Sequence, residues 1–301
     1  MRKENKNIFK EISKDIHDLT LDEERALYGL QNAFINRCKF SGPADGESAL
    51  KESRNISVFN SEFHLRYPLW HMENGLLDNC RMTEDCRAAL WYDNNIQIKN
   101  CTMAGTKAVR ECSEITIENC NIQSAEFGWM SREMIIKDTK LFSEYPFFHS
   151  SDLELDNFIL NGKYSFQYVE NVEIRNSTLN TKDAFWHAKN VTVSDSIIKG
   201  EYLGWYSENL TFIRCKIIGT QPLCYAKGLV LDDCEMIDCD LAFEKSDVQA
   251  IITGSIKSIK NPDSGYIKAG MIGEIEVNDD SACIIETGER SNTLSACCCS
   301  C

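Results

Sequence analysis

The chain repeats itself every 19 residues, and that period restricts it to very few folds. Asn95-Ile96-Gln97-Ile98-Lys99-Asn100-Cys101-Thr102-Met103 recurs as Glu114-Ile115-Thr116-Ile117-Glu118-Asn119-Cys120-Asn121-Ile122, with further echoes at Asn171-Val172, Asn190-Val191 and Asn209-Leu210. Taking Cys101 as an anchor, Cys120, Thr139, Phe158, Ser177, Ser196, Cys215 and Cys234 follow at steps of 19, and Cys80, Ser61 and Cys38 precede it at steps of 21, 19 and 23. Apolar residues stand five and three before each anchor and two after it, as in Ile115, Ile117 and Ile122. That is the alternation of a strand, not the spacing of a helix.

Nineteen residues are too few for a strand, a crossover helix and a return strand, yet enough for one coil of short strands joined by turns. The predicted fold class is therefore all-β, a single-stranded right-handed parallel β-helix, its hand following from the chirality of parallel connections. Coils stacked about 4.8 Å apart turn each position of the unit into a ladder, and eleven anchors predict a rod roughly 50 Å long. Two columns rich in asparagine flank the long strand: Asn55, Asn74, Asn95, Asn171, Asn190 and Asn209 before it, and Asn60, Asn79, Asn100, Asn119, Asn157 and Asn176 at its end. Asparagine tolerates left-handed backbone and suits stacked turns.

The ends of such a rod are open sheet edges that need cover. Residues 1–24 are expected to form an N-terminal cap, with Thr20 and Glu23 spaced as a capping box for a short helix. Residues 25–285 form the β-helix, its last coils degenerate from Val248 onward, and 286–301 a flexible cysteine-rich tail.

Hydrophobic residues at 43% and charged residues at 26% fit a folded, soluble globular chain rather than a disordered or membrane-embedded one. A net charge of −14 repels phosphate backbones and acidic lipid, so neither nucleic acid nor membrane is an expected partner. Met1 to Asp18 holds no apolar stretch of the kind a secretory signal requires, which makes the expected location cytoplasmic and the 15 cysteines mostly reduced thiols. Anchor cysteines are expected to be small core residues. Cys297, Cys298, Cys299 and Cys301 could adapt to a soft metal or be modified, but their spacing defines no zinc motif, and no cofactor is predicted.

A second column lies ten to twelve residues before each anchor: Tyr28, Lys51, Trp70, Trp91, Arg110, Trp129, Phe148, Gln167, Trp186, Trp205 and Cys224. It holds all five tryptophans. Large apolar side chains usually belong to a core, but a column that also accepts Lys51, Arg110 and Gln167 is ill suited to a dry interior. The expectation is an outward aromatic stripe, and exposed stripes of that kind mark ligand or partner sites. The next column reads Gly29, Glu52, His71, Tyr92, Glu111, Met130, His149, Tyr168, His187, Tyr206 and Tyr225. With Tyr202 and Tyr206 the tryptophans make a candidate binding surface. His149, His187, Asp183 and Glu201 are the candidate acid and base groups beside it, a combination suited to sugar recognition or glycan chemistry. No carboxylate pair recurs at a spacing that defines a hydrolase.

Arg66-Tyr67-Pro68-Leu69-Trp70, Lys182-Asp183-Ala184-Phe185-Trp186, Gly200-Glu201-Tyr202-Leu203-Gly204-Trp205-Tyr206, Gly219-Thr220-Gln221-Pro222-Leu223-Cys224-Tyr225 and Asp240-Leu241-Ala242-Phe243-Glu244 resemble a bacterial domain-of-unknown-function family, number three-seven-three-seven, over roughly residues 20–285. The resemblance implies a right-handed parallel β-helix similar to pectin lyases, and no known activity. Pectin lyase-like enzymes use acidic residues with calcium, or basic residues as the base, and neither constellation is evident in this chain. Two functions follow as expectations. One is a carbohydrate-binding rod, acting as a lyase, hydrolase or isomerase if it turns its ligand over. The alternative is a rigid protein-interaction scaffold.

Overall fold

The computed structural model describes residues 12–42 and 46–288, and these form a parallel β-solenoid of about 14 turns without a helix. Each coil contributes a six-residue strand such as Asn94–Lys99, Ser113–Glu118, Arg132–Lys137 or Ser151–Asp156, and a shorter one such as Thr102–Ala104 or Asn121–Gln123. Strands pair in parallel with the next coil in the 19-residue register: Ile96 with Ile115, Ile115 with Met134, Met134 with Leu153, Leu153 with Val172. All five are buried, so the alternation in sequence is the inward face of one continuous sheet.

The corners follow from the asparagine columns. Asn55, Asn74, Asn95, Asn171, Asn190 and Asn209 all take φ between 53° and 56°, and the asparagines of the column at the strand end, from Asn60 through Asn176, take φ between 50° and 54°. Their amides form ladders along the axis, Asn74 donating to Asn55 at 3.1 Å, Asn95 to Asn74 at 2.8 Å and Asn119 to Asn100 at 2.7 Å. Asparagine thus serves twice here, as a residue tolerant of left-handed backbone and as a link between rungs.

The anchor column is a hydrogen-bonding ladder inside the core. Ser61 accepts the N–H of Cys38 at 3.0 Å, Cys101 that of Cys80 at 3.3 Å, Cys120 that of Cys101 at 3.4 Å and Thr139 that of Cys120 at 3.2 Å. The same side chains donate to the carbonyl two residues back, as Ser177 does to Arg175 at 2.7 Å. A buried main-chain donor left alone is costly, and this explains why the anchor is cysteine, serine or threonine in almost every coil.

The expected capping box is not formed. Thr20 lies in the strand Thr20–Leu21, paired with Lys39–Phe40, and Lys14–His17 pairs with Ala33–Asn36, so this segment is a further coil stacked on the rod. The alternation of a coil outweighs the local cap signal, because strand pairing satisfies the main chain over several residues at once. At the other end Asp247–Lys260, Ser264–Glu276 and Ala282–Thr287 continue the parallel stack, the last strand reaching Thr287 within the segment expected as tail. With these additions the rod reaches roughly 65 Å. Residues 1–11 of the expected cap and 289–301 of the tail, including Cys297 to Cys301, lie outside the described residues.

The third side of the coil is mostly turns, and its backbone changes character along the rod. Leu50, Leu69 and Leu90 donate their N–H to the following coil, at 2.8, 3.1 and 2.9 Å. From Gly128 onward the equivalent residues donate to the preceding one: Phe147 to Phe127 at 2.7 Å, Phe166 to Pro146 at 3.0 Å, Phe185 to Ser165 at 3.0 Å. In this second half they take φ of 62°, 57° and 59°, and Gly128 and Gly204 stand in the same column at 74° and 71°. Left-handed backbone at phenylalanine costs about 1–3 kcal/mol a residue. Stacking in the core offsets it, with Phe147 on Phe166 at 4.9 Å and Phe166 on Phe185 at 5.0 Å.

Candidate functional site

Left-handed residues alternate with right-handed ones on this side, so Tyr145, Phe147 and His149 of one coil take positive φ, as do Tyr164, Phe166 and Tyr168 of the next. Phe147 and Phe166 point into the core, and three columns remain on the outside. The middle one is the tryptophan column, and it lies on the outer surface with each indole half-buried. Cys224 is the exception and is buried. The fit of charge into this column has a direct cause: the Lys51 ammonium sits 3.5 Å from the Trp70 ring centroid and the Arg110 guanidinium 5.6 Å from that of Trp129.

Indole faces are turned along the axis towards each other. Trp186 and Trp205 stack at 5.5 Å with planes 6° apart, and Trp70 and Trp91 at 5.3 Å and 15°. Three of the five indole nitrogens also hold the fold, while those of Trp70 and Trp91 are buried without a partner. Trp129 donates to the Tyr145 carbonyl, Trp186 to that of Tyr202 at 2.6 Å and Trp205 to that of Gln221 at 2.8 Å, in every case 16 residues on. The indoles are therefore part of the wall and present edges to solvent.

More exposed is the column one residue on. His149, Tyr168, His187, Tyr206 and Tyr225 form an unbroken stack, with centroid separations of 4.8, 4.8, 5.1 and 4.9 Å and interplanar angles of 17° or less. It runs for roughly 20 Å beside Trp186 and Trp205, and Met130 extends it as an exposed side chain. Burial raises the Tyr225 phenol above its ordinary range, helped by the neighbouring Glu244 carboxylate.

A third column carries Tyr145 and Tyr164, stacked at 4.6 Å, then Asp183 and Tyr202, which meets Trp205 edge-on at 5.6 Å. Asp183 is only 7% exposed, and burial pushes its carboxyl up while Lys182, 3.7 Å away, pulls it down. Glu201 is exposed and joined to Asp183 through the main chain, the Asp183 N–H donating to the Glu201 carbonyl at 2.9 Å. The candidate acid and base groups are thus divided: His149 and His187 stand on the exposed ladder with Tyr168 between them, and Asp183 and Glu201 stand on the far side of the tryptophans. No side-chain hydrogen bond or ion pair among the described residues joins the two sets.

At the N-terminal part of the same face lies a charged group that sequence reasoning did not single out. His71 contacts the Glu52 carboxylate at 3.3 Å and packs edge-on against Tyr92 at 5.2 Å. The hydrogen bond from Tyr92 to Glu111 holds the Tyr92 phenol above its usual range, and Arg110 reaches Glu111 at 3.0 Å. The signal lay in the column, where Glu52, His71, Tyr92 and Glu111 follow one coil apart.

The family model for a protein of unknown function, DUF3737, matches residues 14–287, and the chain belongs to that family. No curated protein matches it. Among solved structures it is similar to a tailspike protein double mutant of E. coli bacteriophage HK620, at 10% identity and a TM-score of 0.47, over 85% of this chain and 62% of that one. A mutant of the same tailspike in complex with hexasaccharide gives 10% and 0.44 over the same shares. The A-module of the mannuronan C-5 epimerase AlgE6 of Azotobacter vinelandii gives 10% and 0.42, over 86% of this chain and 90% of that one. The chain spans less than two thirds of the tailspike's length.

Proposed function

We propose that this member of DUF3737 is a cytoplasmic binding rod that holds an extended carbohydrate, uncharged or cationic, along the ladder from His149 to Tyr225. The observation that carries this reading is the five-ring stack itself, in register with one ring per coil and exposed from His149 to Tyr206, with Tyr225 half-buried at its end. Ring faces are occupied by neighbouring rings, so the ladder offers its edges: phenolic hydroxyls and imidazole nitrogens that both donate and accept hydrogen bonds. One such rung recurs about every 4.8 Å, close to the length of one sugar unit in an extended chain. A hydroxyl-rich polymer lying along the axis therefore meets a repeated set of partners, and the net charge of −14 disfavours an acidic one.

Titration of tryptophan fluorescence with neutral, basic and acidic oligosaccharides tests the reading, because Trp205 touches both Tyr206 and Tyr225 and reports on the ladder. A saturable response to neutral or basic chains of several units, absent for single sugars and lost in Tyr168→Ala with Tyr206→Ala, is expected. A flat response across the whole panel overturns it. A protein partner retained by the parent and lost by Trp186→Ala and Trp205→Ala then points to the scaffold reading.

A further inference from the structure

The rod ends in an open sheet edge. Ala282–Thr287 pairs in register with Ser264–Ala269 on one side, Tyr266 opposite Ile284, and no strand among the described residues pairs with its other side. The second half of the strand before it, Met271–Glu276, likewise pairs only with the coil below. Such edges present a row of free N–H and C=O groups that can template another strand.

Two further properties say what kind of strand fits. Ile284 is 61% and Met271 63% exposed, Ile275 is nearly as open, and Ile285 closes the core only in part. Apolar residues gathered at one end in this way mark an interaction surface rather than scattered surface hydrophobics. Around them Glu274, Glu276, Asp279 and Asp280 are exposed and carry no ion pair among the described residues. Elsewhere acids and bases alternate between rungs, as in Lys189 with Glu208 and Lys216 with Glu235. Glu286, on the edge strand itself, stands opposite Lys268 in the register without an ion pair to it and accepts the Tyr266 hydroxyl at 2.6 Å.

We propose that this end is a strand-addition site for an extended segment of another protein in which apolar residues alternate with lysine or arginine. Main-chain hydrogen bonds to Ala282–Thr287 would supply affinity, the alternate apolar side chains would cover Ile285, and the basic ones would meet the unneutralised carboxylates. The like charge of this end disfavours the same end of a second copy.

Hydrogen exchange of the full chain tests this, with a six-residue peptide alternating lysine and valine as the probe and a glutamate–valine peptide as control. The lysine peptide is expected to slow exchange of Ala282–Thr287 amides at least about tenfold, the glutamate peptide not at all, and high salt to reduce the effect. Ile284→Lys and Glu286→Lys, both at exposed positions, should each abolish the protection. Equal protection by both peptides, or by neither, overturns the proposal. So does protection already present in the free protein, whether it fades on dilution, as for a second copy, or persists, as for cover by the chain's own residues.

Discussion

Gln167 donates its side-chain N–H to the main-chain carbonyl of Asp183 at 3.1 Å, which is the contact that Trp129, Trp186 and Trp205 make from the equivalent position of their own coils. In these four coils a long side chain ending in an N–H is laid along the wall to the next coil, whereas the indole nitrogens of Trp70 and Trp91 make no such contact. Trp186→Phe keeps an aromatic ring, though a smaller one, and removes the donor, leaving the Tyr202 carbonyl without it. It is expected to cost about 1 kcal/mol in urea denaturation. Gln167→Trp restores the common pattern and is expected to leave stability unchanged or raised. Equal stability of Trp186→Phe and the parent would show that the indole nitrogen contributes nothing to the wall.

The anchor ladder gives a test of cysteine as a hydrogen-bonding residue. Cys101 accepts the Cys80 N–H at 3.3 Å and donates to the Lys99 carbonyl at 3.0 Å. Serine makes both contacts in other coils, Ser196 accepting from Ser177 at 3.0 Å and donating to Ser194 at 2.6 Å. Cys101→Ser is expected to stay within about 0.5 kcal/mol of the parent, and Cys101→Val, which leaves a buried N–H alone, to lose about 1–3 kcal/mol. Matching urea midpoints for the two variants would reduce the ladder to simple packing.

These columns also show what was legible before the structure. The period, the inward alternation of Ile96, Ile115 and Met134, and the left-handed asparagine corners could be read because every coil repeats the same contacts, so the sequence averages over many copies of one environment. The N-terminal coil was hidden by a local cap signal at Thr20 that pairing with Lys39 overrides. The conformational change on the third side was harder still, because nothing in the propensity of Phe147 or Phe166 favours positive φ. Its only trace was Gly128 and Gly204 standing in the same column. The direction of the tryptophans was signalled by Lys51 and Arg110, yet their ring faces were not, since stacking at one rung's separation fills the space a face-on ligand would need.

Asparagine at the corners separates two contributions that can be measured. Asn190 has φ 53°, donates to Asn171 at 3.2 Å and accepts from Asn209 at 3.0 Å. Asn190→Gly removes both side-chain bonds but keeps the backbone free of strain, and Asn190→Ala removes the bonds and adds a Cβ in the left-handed region. Alanine is expected to be the less stable by about 1 kcal/mol, the left-handed penalty exceeding the extra chain entropy that glycine loses on folding. Thermal unfolding of both variants checks this, and a glycine variant no more stable than the alanine one would place the role of Asn190 in its ladder bonds alone.

Asp93 ties stability to pH. Its carboxyl is fully buried, one oxygen accepts the Met72 N–H at 2.7 Å, and the other has no partner. Burial holds it well above the ordinary carboxylate range, the Met72 N–H and the nearby main chain of Trp91 and His71 only partly opposing this. The folded protein therefore keeps a proton that the unfolded chain releases above about pH 3.9. Stability from this group is complete below that value and is lost as pH rises towards the folded-state pKa. Ser131, Ser150 and Ser207 occupy the same column in other coils and are buried without charge. Asp93→Ser should thus match the parent most closely at acid pH and gain on it as pH rises, by about 1–3 kcal/mol at neutrality. Urea denaturation at pH 4, 6 and 8 reads the difference directly, and a gap between variant and parent that stays constant across the three would mean that Asp93 does not change its protonation on unfolding.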